Sequence, residues 1–471
     1  MKNLNQLTLK RAKQGLKNKE FSSVELTKAC LGQIKKHNQD LNVFITIAEK
    51  QALESAKKAD ELIAGRQYLP LLGIPVALKD LFSTKGVRTT AASNVLKNYI
   101  PPYDATVVKK IKDAGAVIIG KTNLDAWAHG SSGENSDFGT TKNPWNKKYV
   151  PGGSSSGSAV SVASDMCISA TGTDTGGSIR LPASFNNVVG LKPTYGRVSR
   201  YGIVAMASSL DSIGHFTKTV EDSALFFNVT AGKDSMDATT LPVPGEDFAR
   251  DLDKDISELI IGIPREFVTK DLDKEVRGGF EKSVKILENL GAKITEISLP
   301  HTEYGIAAYY IIQPSEVSSN LARYDGIRYG NNRGAFGDEA RRRIMLGTFT
   351  LSSGYYDAYY KKAMQVRTLI KKDFDDAFLK VDALISPVCP TLPWKLGEKI
   401  NDPLKMYLSD ALTVTANIAG VPGLAVPAGF SVNHLPIGIQ IMGKQLSETL
   451  LFQIGNAFEK QTNYYKLKPN L

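Results

Sequence analysis

The sequence predicts an α/β fold, and three observations carry that expectation. Short apolar runs of strand length, at residues 71–78, 116–119 and 260–263, alternate with stretches of helical character. Hydrophobic residues make up 42% and charged residues 23%, which is globular composition and argues against disorder. The chain of 471 residues can bury a sizeable core, and no apolar run approaches the ~18 residues of a membrane span. Length alone fits about three domains or one large α/β unit.

The N-terminal third reads as helices. Ser22 and Glu25 form a capping box, with the apolar Val24, Leu26, Ala29 and Ile34 following. Residues 49–63, rich in Ala, Lys, Glu and Leu, predict a second helix. The run 71–78 (LLGIPVAL) predicts a buried strand, with Lys79 and Asp80 at its end. Residues 106–114 read as a helix that Gly115 stops, and 116–119 as the next strand. A further apolar stretch surrounds 167–170. Residues 232–247 read as loop, and 232–250 as a candidate internal boundary. Residues 260–263 predict a strand, and 315–321 and 358–378 predict helices. Residues 423–426 and 438–442 flank SVNHLPI as a hairpin.

Composition also narrows the functional classes. Lys plus Arg total 58 against 48 Asp plus Glu, a formal charge of +10, which raises nucleic acid or an acidic surface as a partner. The 42 lysines and 16 arginines are dispersed, with no aromatic-interleaved basic run, and read mostly as solvated surface. The start, MKNLNQLTLKRAK, has no apolar h-region, so no secretory signal is expected. Cys30, Cys167 and Cys389 are too few for a disulfide framework and lack CxxC spacing. A reducing, cytoplasmic setting is the expectation.

Between residues 151 and 180, Gly and Ser fill 14 of 30 positions, in clusters at 151–159 (PGGSSSGSA) and 171–180 (TGTDTGGSIR). A flexible linker is the bland alternative. It fits poorly, because an apolar segment ending at Met166-Cys167-Ile168 separates the clusters. A P-loop is excluded, since neither cluster has the required lysine. Gly153-x-Ser155-x-Gly157 matches a nucleophile elbow literally, but the preceding NPWNKKYVPG is polar and no strand. A serine nucleophile without histidine is the third reading. Of the five histidines (37, 129, 215, 301, 434) only His129 stands near a serine-rich cluster. A lysine at a buried strand end, where Lys79 falls, can be held neutral by desolvation and serve as base. The alternative for Lys79 is a side chain reaching solvent.

Lys79, GGSSSGS from Gly152 and GTDTGGSIR from Gly172, with 75 residues from Lys79 to Ser154 and 24 from Ser154 to Ser178, together resemble the amidase signature family. The likeness runs over almost the whole chain, through LLGIPVALKD, GENSDFGTTKNPWN, VVGLKPTYGRVSRYGIVAMASSLDSIG, SSNLARYDGIRYG, RRRIMLGTFTLSSGYYDAYY and NIAGVPGLAVPAGF. It is strongest to the branch whose members are glutaminase subunits of tRNA-dependent amidotransferases. The resemblance implies one large domain over 1–471, with a mixed twisted central β-sheet covered by helices on both faces. Within it lie N-terminal helices at about 1–65, a signature core at about 70–215 and a C-terminal part at about 255–471.

For the chemistry, the resemblance implies Ser178 as nucleophile, Ser154 as proton relay after a cis Gly153–Ser154 peptide, and Lys79 as base. It implies an oxyanion hole of backbone N–H groups from Thr175, Gly176, Gly177 and Ser178. It places Arg343 on the carboxylate of glutamine, Asp410 on its ammonium and Tyr309 in the same pocket. Asp174 and Arg180 read as a local ion pair anchoring the loop. No cofactor is expected on this chain. ATP and Mg are expected on a tRNA-binding kinase/transamidase subunit that converts Glu-tRNA(Gln) to Gln-tRNA(Gln), and a small third subunit is expected to bind as well. The surface charge then suits weak, salt-sensitive contact with charged tRNA held mainly by that partner.

Three departures stand out. His129 occupies a methionine position, Ala126-Trp127 replaces Glu-Phe, and the chain is short between Arg328 and Arg341. A stand-alone amidase acting on another small carboxamide is the alternative within the same fold. A catalytically dead scaffold or tRNA-binding module is disfavoured by the intact Lys79, Ser154 and Ser178.

Overall fold

A computed structural model describes residues 3–324 and 330–471, and one mixed sheet of eleven strands runs through it. The strands are β1 Phe44–Ile47, β2 Pro75–Lys79, β3 Val117–Thr122, β4 Ser169–Asp174, β5 Val189–Lys192, β6 Ser212–Thr217, β7 Ile260–Pro264, β8 Lys293–Ile297, β9 Ala383–Pro387, β10 Gly423–Phe430 and β11 Pro436–Gly443. Their order is β1-β3-β2-β4-β6-β5-β10-β11-β9-β7-β8. β2 is parallel to both β3 and β4, and β7 to both β8 and β9. The central strands from β4 through β9 pair antiparallel.

Neighbouring residues on a strand face opposite sides, so a strand covered on both faces feeds two cores. Val76 and Leu78 of β2 join one apolar cluster while Ala77 joins the other, and Ile118 is likewise split from Val117 and Ile119. One core is closed by helices Thr106–Asp113, Val220–Thr230, Gly305–Leu321 and Glu448–Thr462. The other is closed by Ser23–Leu41, Ser156–Ala163 and Arg180–Asn186.

The sequence reading holds for most elements. Ser22 and Glu25 make both capping-box bonds ahead of helix Ser23–Leu41. The second helix spans Glu49–Ala64, and the hairpin pairs β10 with β11. The strand expected at 71–78 is shorter and later, at Pro75–Lys79. Gly73 turns with φ +77° and its N–H donates to Gly115 O instead of continuing a ladder. The helix expected at 315–321 begins ten residues earlier, at Gly305, and carries Pro314 within it. The helix expected at 358–378 opens with a π-helical segment, Tyr356–Lys361. SSNLARYDGIRYG spans residues 325–329, and the segment between Arg328 and Arg341 begins among them; these lie outside the described residues. Among the described residues no helix is long and apolar enough to cross a membrane. Cys30, Cys167 and Cys389 are buried and free.

Parallel pairing of β2 with β4 sets the site. Val76 faces Ser169 and Ala77 faces Ala170, so both strands deliver their C-terminal residues to one edge, with Lys79 on one and Thr173 and Asp174 on the other.

Candidate active site

Lys79 is fully buried and does not reach solvent. Its Nζ lies within hydrogen-bond distance of Ser154 Oγ (2.9 Å), Ser155 Oγ (2.9 Å) and Thr173 Oγ1 (2.8 Å). Among the described residues no carboxylate bonds it directly. Burial therefore brings the amine down to about 7, only partly opposed by the charges of Asp125, Asp174 and Asp211.

Ser154 follows a cis Gly153–Ser154 peptide. The preceding glycine has a steric reason. A Cβ on Gly153 would lie 1.9 Å from Asp125 Oδ2. Asp125 frames this loop, accepting from the N–H groups of Gly133 (3.0 Å) and Asn135 (2.9 Å), while its own N–H donates to Ser154 O at 3.2 Å. Burial raises its carboxyl to about 7.

Ser178 lies on the loop joining β4 to helix Arg180–Asn186. At 8% exposure it is the most accessible of the three, against 0% for Lys79 and Ser154. Its hydroxyl has no hydrogen-bond partner among the described residues, and its carbonyl accepts from Ser155 N–H at 3.2 Å, tying the two Gly/Ser loops together. Asp174 organises the loop from below. Its carboxylate accepts from the N–H groups of Gly177 (2.8 Å) and Ile179 (3.1 Å) and from Arg180 Nε (3.1 Å) and Nη2 (3.1 Å). Arg180 also donates to Gln440 and Asn417. The buried guanidinium outweighs desolvation and holds Asp174 at about 2. Asp174 and Arg180 are thus an ion pair anchoring the loop.

Four loop amides were expected to face an oxyanion. The Gly177 N–H is occupied by Asp174. Thr175, Gly176 and Ser178 have backbone N–H groups without a protein acceptor among the described residues. Gly177 sits at φ +141° with Thr413 Oγ1 only 2.3 Å from where a Cβ would be.

The expected substrate residues converge beside this loop. The Tyr309 ring rests on Gly176, where a Cβ would meet its Cζ at 2.8 Å. Asp410 is buried and accepts from Ser131 Oγ (2.9 Å) and Tyr310 OH (3.0 Å), and burial raises it to about 7. Arg343 is buried on helix Asp338–Thr350. Its Nε donates to Glu339 Oε1 at 2.8 Å and its Nη1 to Gln313 Oε1 at 3.0 Å. It also lies 5.4 Å from the Tyr310 ring and 5.6 Å from the Tyr407 ring. Arg343 borders a cavity of about 560 Å³ shared with His129, Asn135, Glu339 and Tyr407.

Sequence reading missed the residues that hold these groups. Ser155 and Thr173 sit in the two Gly/Ser clusters, so their place was visible but not their partner. Glu339, four residues before Arg343, was available as a helical i,i+4 pair. Ser131, Tyr310, Gln313 and Asp125 gave no local signal, since their partners lie far away in the chain.

A buried lysine, two serines and a glycine-rich amide loop thus meet at one strand edge of an α/β sheet. The chain belongs to the amidase family, whose model, described as Amidase, matches residues 25–452. Full-length relatives are more particular. The glutamyl-tRNA(Gln) amidotransferase A subunit of Desulfatibacillum aliphaticivorans is 50% identical over 483 residues, covering 99% of this chain and 100% of the relative. That of Carboxydothermus hydrogenoformans is 51% identical over 481 residues, covering 99% of each. The crystal structure of the glutamyl-tRNA(Gln) amidotransferase A subunit from Thermotoga maritima superposes with a TM-score of 0.86 at 42% identity, covering 100% of this chain and 99% of that one.

Proposed function

We propose that this chain is the glutaminase subunit of a tRNA-dependent amidotransferase. The observation that carries the reading is the buried Lys79 amine held among the described residues by hydroxyls, one of them Ser154, with Ser178 the least buried of the three. A neutral amine has two N–H donors and one lone pair. The Ser155 hydroxyl donates to Thr173 O at 3.1 Å, so it can only accept from Lys79. With Thr173 Oγ1 accepting the other N–H, the lone pair is left for the Ser154 proton.

Ser178 Oγ attacks the side-chain carboxamide carbon of glutamine, and its proton passes through Ser154 to Lys79. The free N–H groups of Thr175, Gly176 and Ser178 take the developing oxyanion. On collapse the carbon–nitrogen bond breaks. Lys79 returns its proton through Ser154 to the leaving nitrogen, giving ammonia and a γ-glutamyl ester on Ser178. Water, deprotonated by the same route, hydrolyses the ester to glutamate. Arg343 and Asp410 supply opposite charges for the two ends of a free amino acid, with Tyr309 between them and the loop. Binding of the ammonium restores the charge of Asp410, which burial opposes.

The relatives' names support passing the ammonia to a partner. In this reading a cytoplasmic tRNA-binding subunit uses ATP and Mg to activate Glu-tRNA(Gln) and amidate it, and a small subunit completes a heterotrimer. Ammonia release from glutamine is the test, measured on the chain with and without its co-purifying subunits. Ser178→Ala should lower it by ~10³-fold or more. Release that survives this change removes the nucleophile. No stimulation by partners or charged tRNA favours the stand-alone amidase.

A further inference from the structure

Around Arg343 lie buried polar atoms that make no hydrogen bond within the protein among the described residues. Arg343 is fixed through Nε and Nη1, and its Nη2 has no protein acceptor among the described residues. Gln313, which fixes Nη1, is buried, and its own Nε2 has no partner among the described residues. His129 lines the cavity at 0% exposure, and neither Nδ1 nor Nε2 has a partner among the described residues. Burial and the nearby Arg343 charge keep the imidazole well below its ordinary range, so it is neutral and one ring nitrogen carries a hydrogen.

Buried polar atoms without partners are uncommon and costly, and here they gather around one cation. An apolar side chain at 129 would fill the wall without orphaned nitrogens. Of the groups around Arg343, its Nη2, Gln313 Nε2 and one His129 nitrogen can donate, while Glu134 on the same cavity wall keeps a buried carboxylate oxygen without a partner among the described residues. Several donors beside a guanidinium suit an anion with several acceptor sites, and a carboxylate is the amino-acid group of that kind.

We infer that His129 is a substrate-binding, specificity-determining residue. Its ring N–H joins Arg343 on the carboxylate of the amide donor, and Gln313 is the positioning residue that aims the free edge of Arg343. This rests on the glutaminase reading above and adds a contact on the cavity that Arg343 borders. The carboxylate is not the reacting group, so losing the contact weakens donor binding more than turnover.

The test uses the full chain with its co-purifying subunits and two substrates: glutamine, and 4-aminobutanamide, which is glutamine without its carboxylate. His129→Leu should raise the KM for glutamine by ~10-fold or more, the range for a hydrogen bond to a charged group, with a smaller change in kcat. It should lower the preference for glutamine over 4-aminobutanamide by the same factor. His129→Gln, which keeps an N–H donor, should recover part of that preference. An unchanged glutamine KM, or equal losses on both substrates, would overturn the inference, the second showing a structural role. A wild-type chain that turns over 4-aminobutanamide but not glutamine overturns the glutaminase reading itself, whatever the variants do.

Discussion

The protonation of Lys79 can be turned into a measured pH profile. Burial brings the amine from its ordinary 10.5 to about 7. The neutral fraction is then about one-tenth at pH 6 and about nine-tenths at pH 8. A solvated lysine would be less than about 1% neutral at pH 8. With the neutral amine as the proposed base, kcat should rise ~10-fold from pH 6 to pH 8 and level above. The quantity to follow is kcat for ammonia release at saturating glutamine, since the bound ammonium keeps Asp410 ionised and removes its titration near about 7. Lys79→Arg should abolish the profile along with activity, because a guanidinium stays protonated. Stability supplies an independent reading. Lowering the amine from 10.5 to about 7 corresponds to ~5 kcal/mol against the charged form. Between pH 7 and 10.5 the unfolded chain binds more protons at this group than the folded chain, so its effect on stability rises with pH across that window. Lys79→Met should remove this slope, read from urea midpoints at several pH values. A kcat that is flat from pH 6 to 8, or a Lys79→Met variant with the wild-type stability slope, would refute the neutral buried base.

Two further changes test the scaffold. Arg180→Met leaves Asp174 as an uncompensated buried carboxylate and should cost ~3–5 kcal/mol in urea unfolding near pH 7. The folded-state value of Asp174 is depressed to about 2, so this contribution is present above its ordinary 3.8 and the gap from wild type should close as pH falls through about 2. Gly347→Ala should destabilise by ~1–3 kcal/mol although alanine is the better helix former, because its Cβ would lie 1.9 Å from Pro314 O. It pushes apart the helices bearing Arg343 and Gln313, so the glutamine KM should rise with the loss in thermal stability; a neutral or stabilised variant would contradict that packing.

What was legible in the sequence follows from how local each cause is. Ser22 and Glu25 cap a helix through bonds three residues apart, so they could be read directly. The run before Lys79 marked a buried strand because both of its faces meet apolar cores. Its start was misplaced, since the turn at Gly73 depends on Gly115, some forty residues away. The order of the eleven strands was not legible. Antiparallel pairing of β4 with β6, and of β5 with β10, depends on which distant segments meet, and apolar runs do not encode that.

The same division runs through the site. Lys79, Ser154 and Ser178 were recognisable because spacing and neighbours form a pattern, whereas the state of the lysine comes from contacts that the pattern does not specify. Thr173 reaches it across the parallel β2–β4 pair, and Ser155 is turned into an acceptor only because its proton is committed to Thr173 O. Arg343 and Asp410 likewise owe their geometry to Gln313, Tyr310 and Ser131, each drawn from a separate segment. His129 is the instructive case. From sequence it is a departure at a methionine position, with no assigned consequence. In the fold it becomes two buried ring nitrogens without partners among the described residues, on a cavity that Arg343 also lines. The role proposed for His129 is therefore in donor recognition rather than in the chemical step.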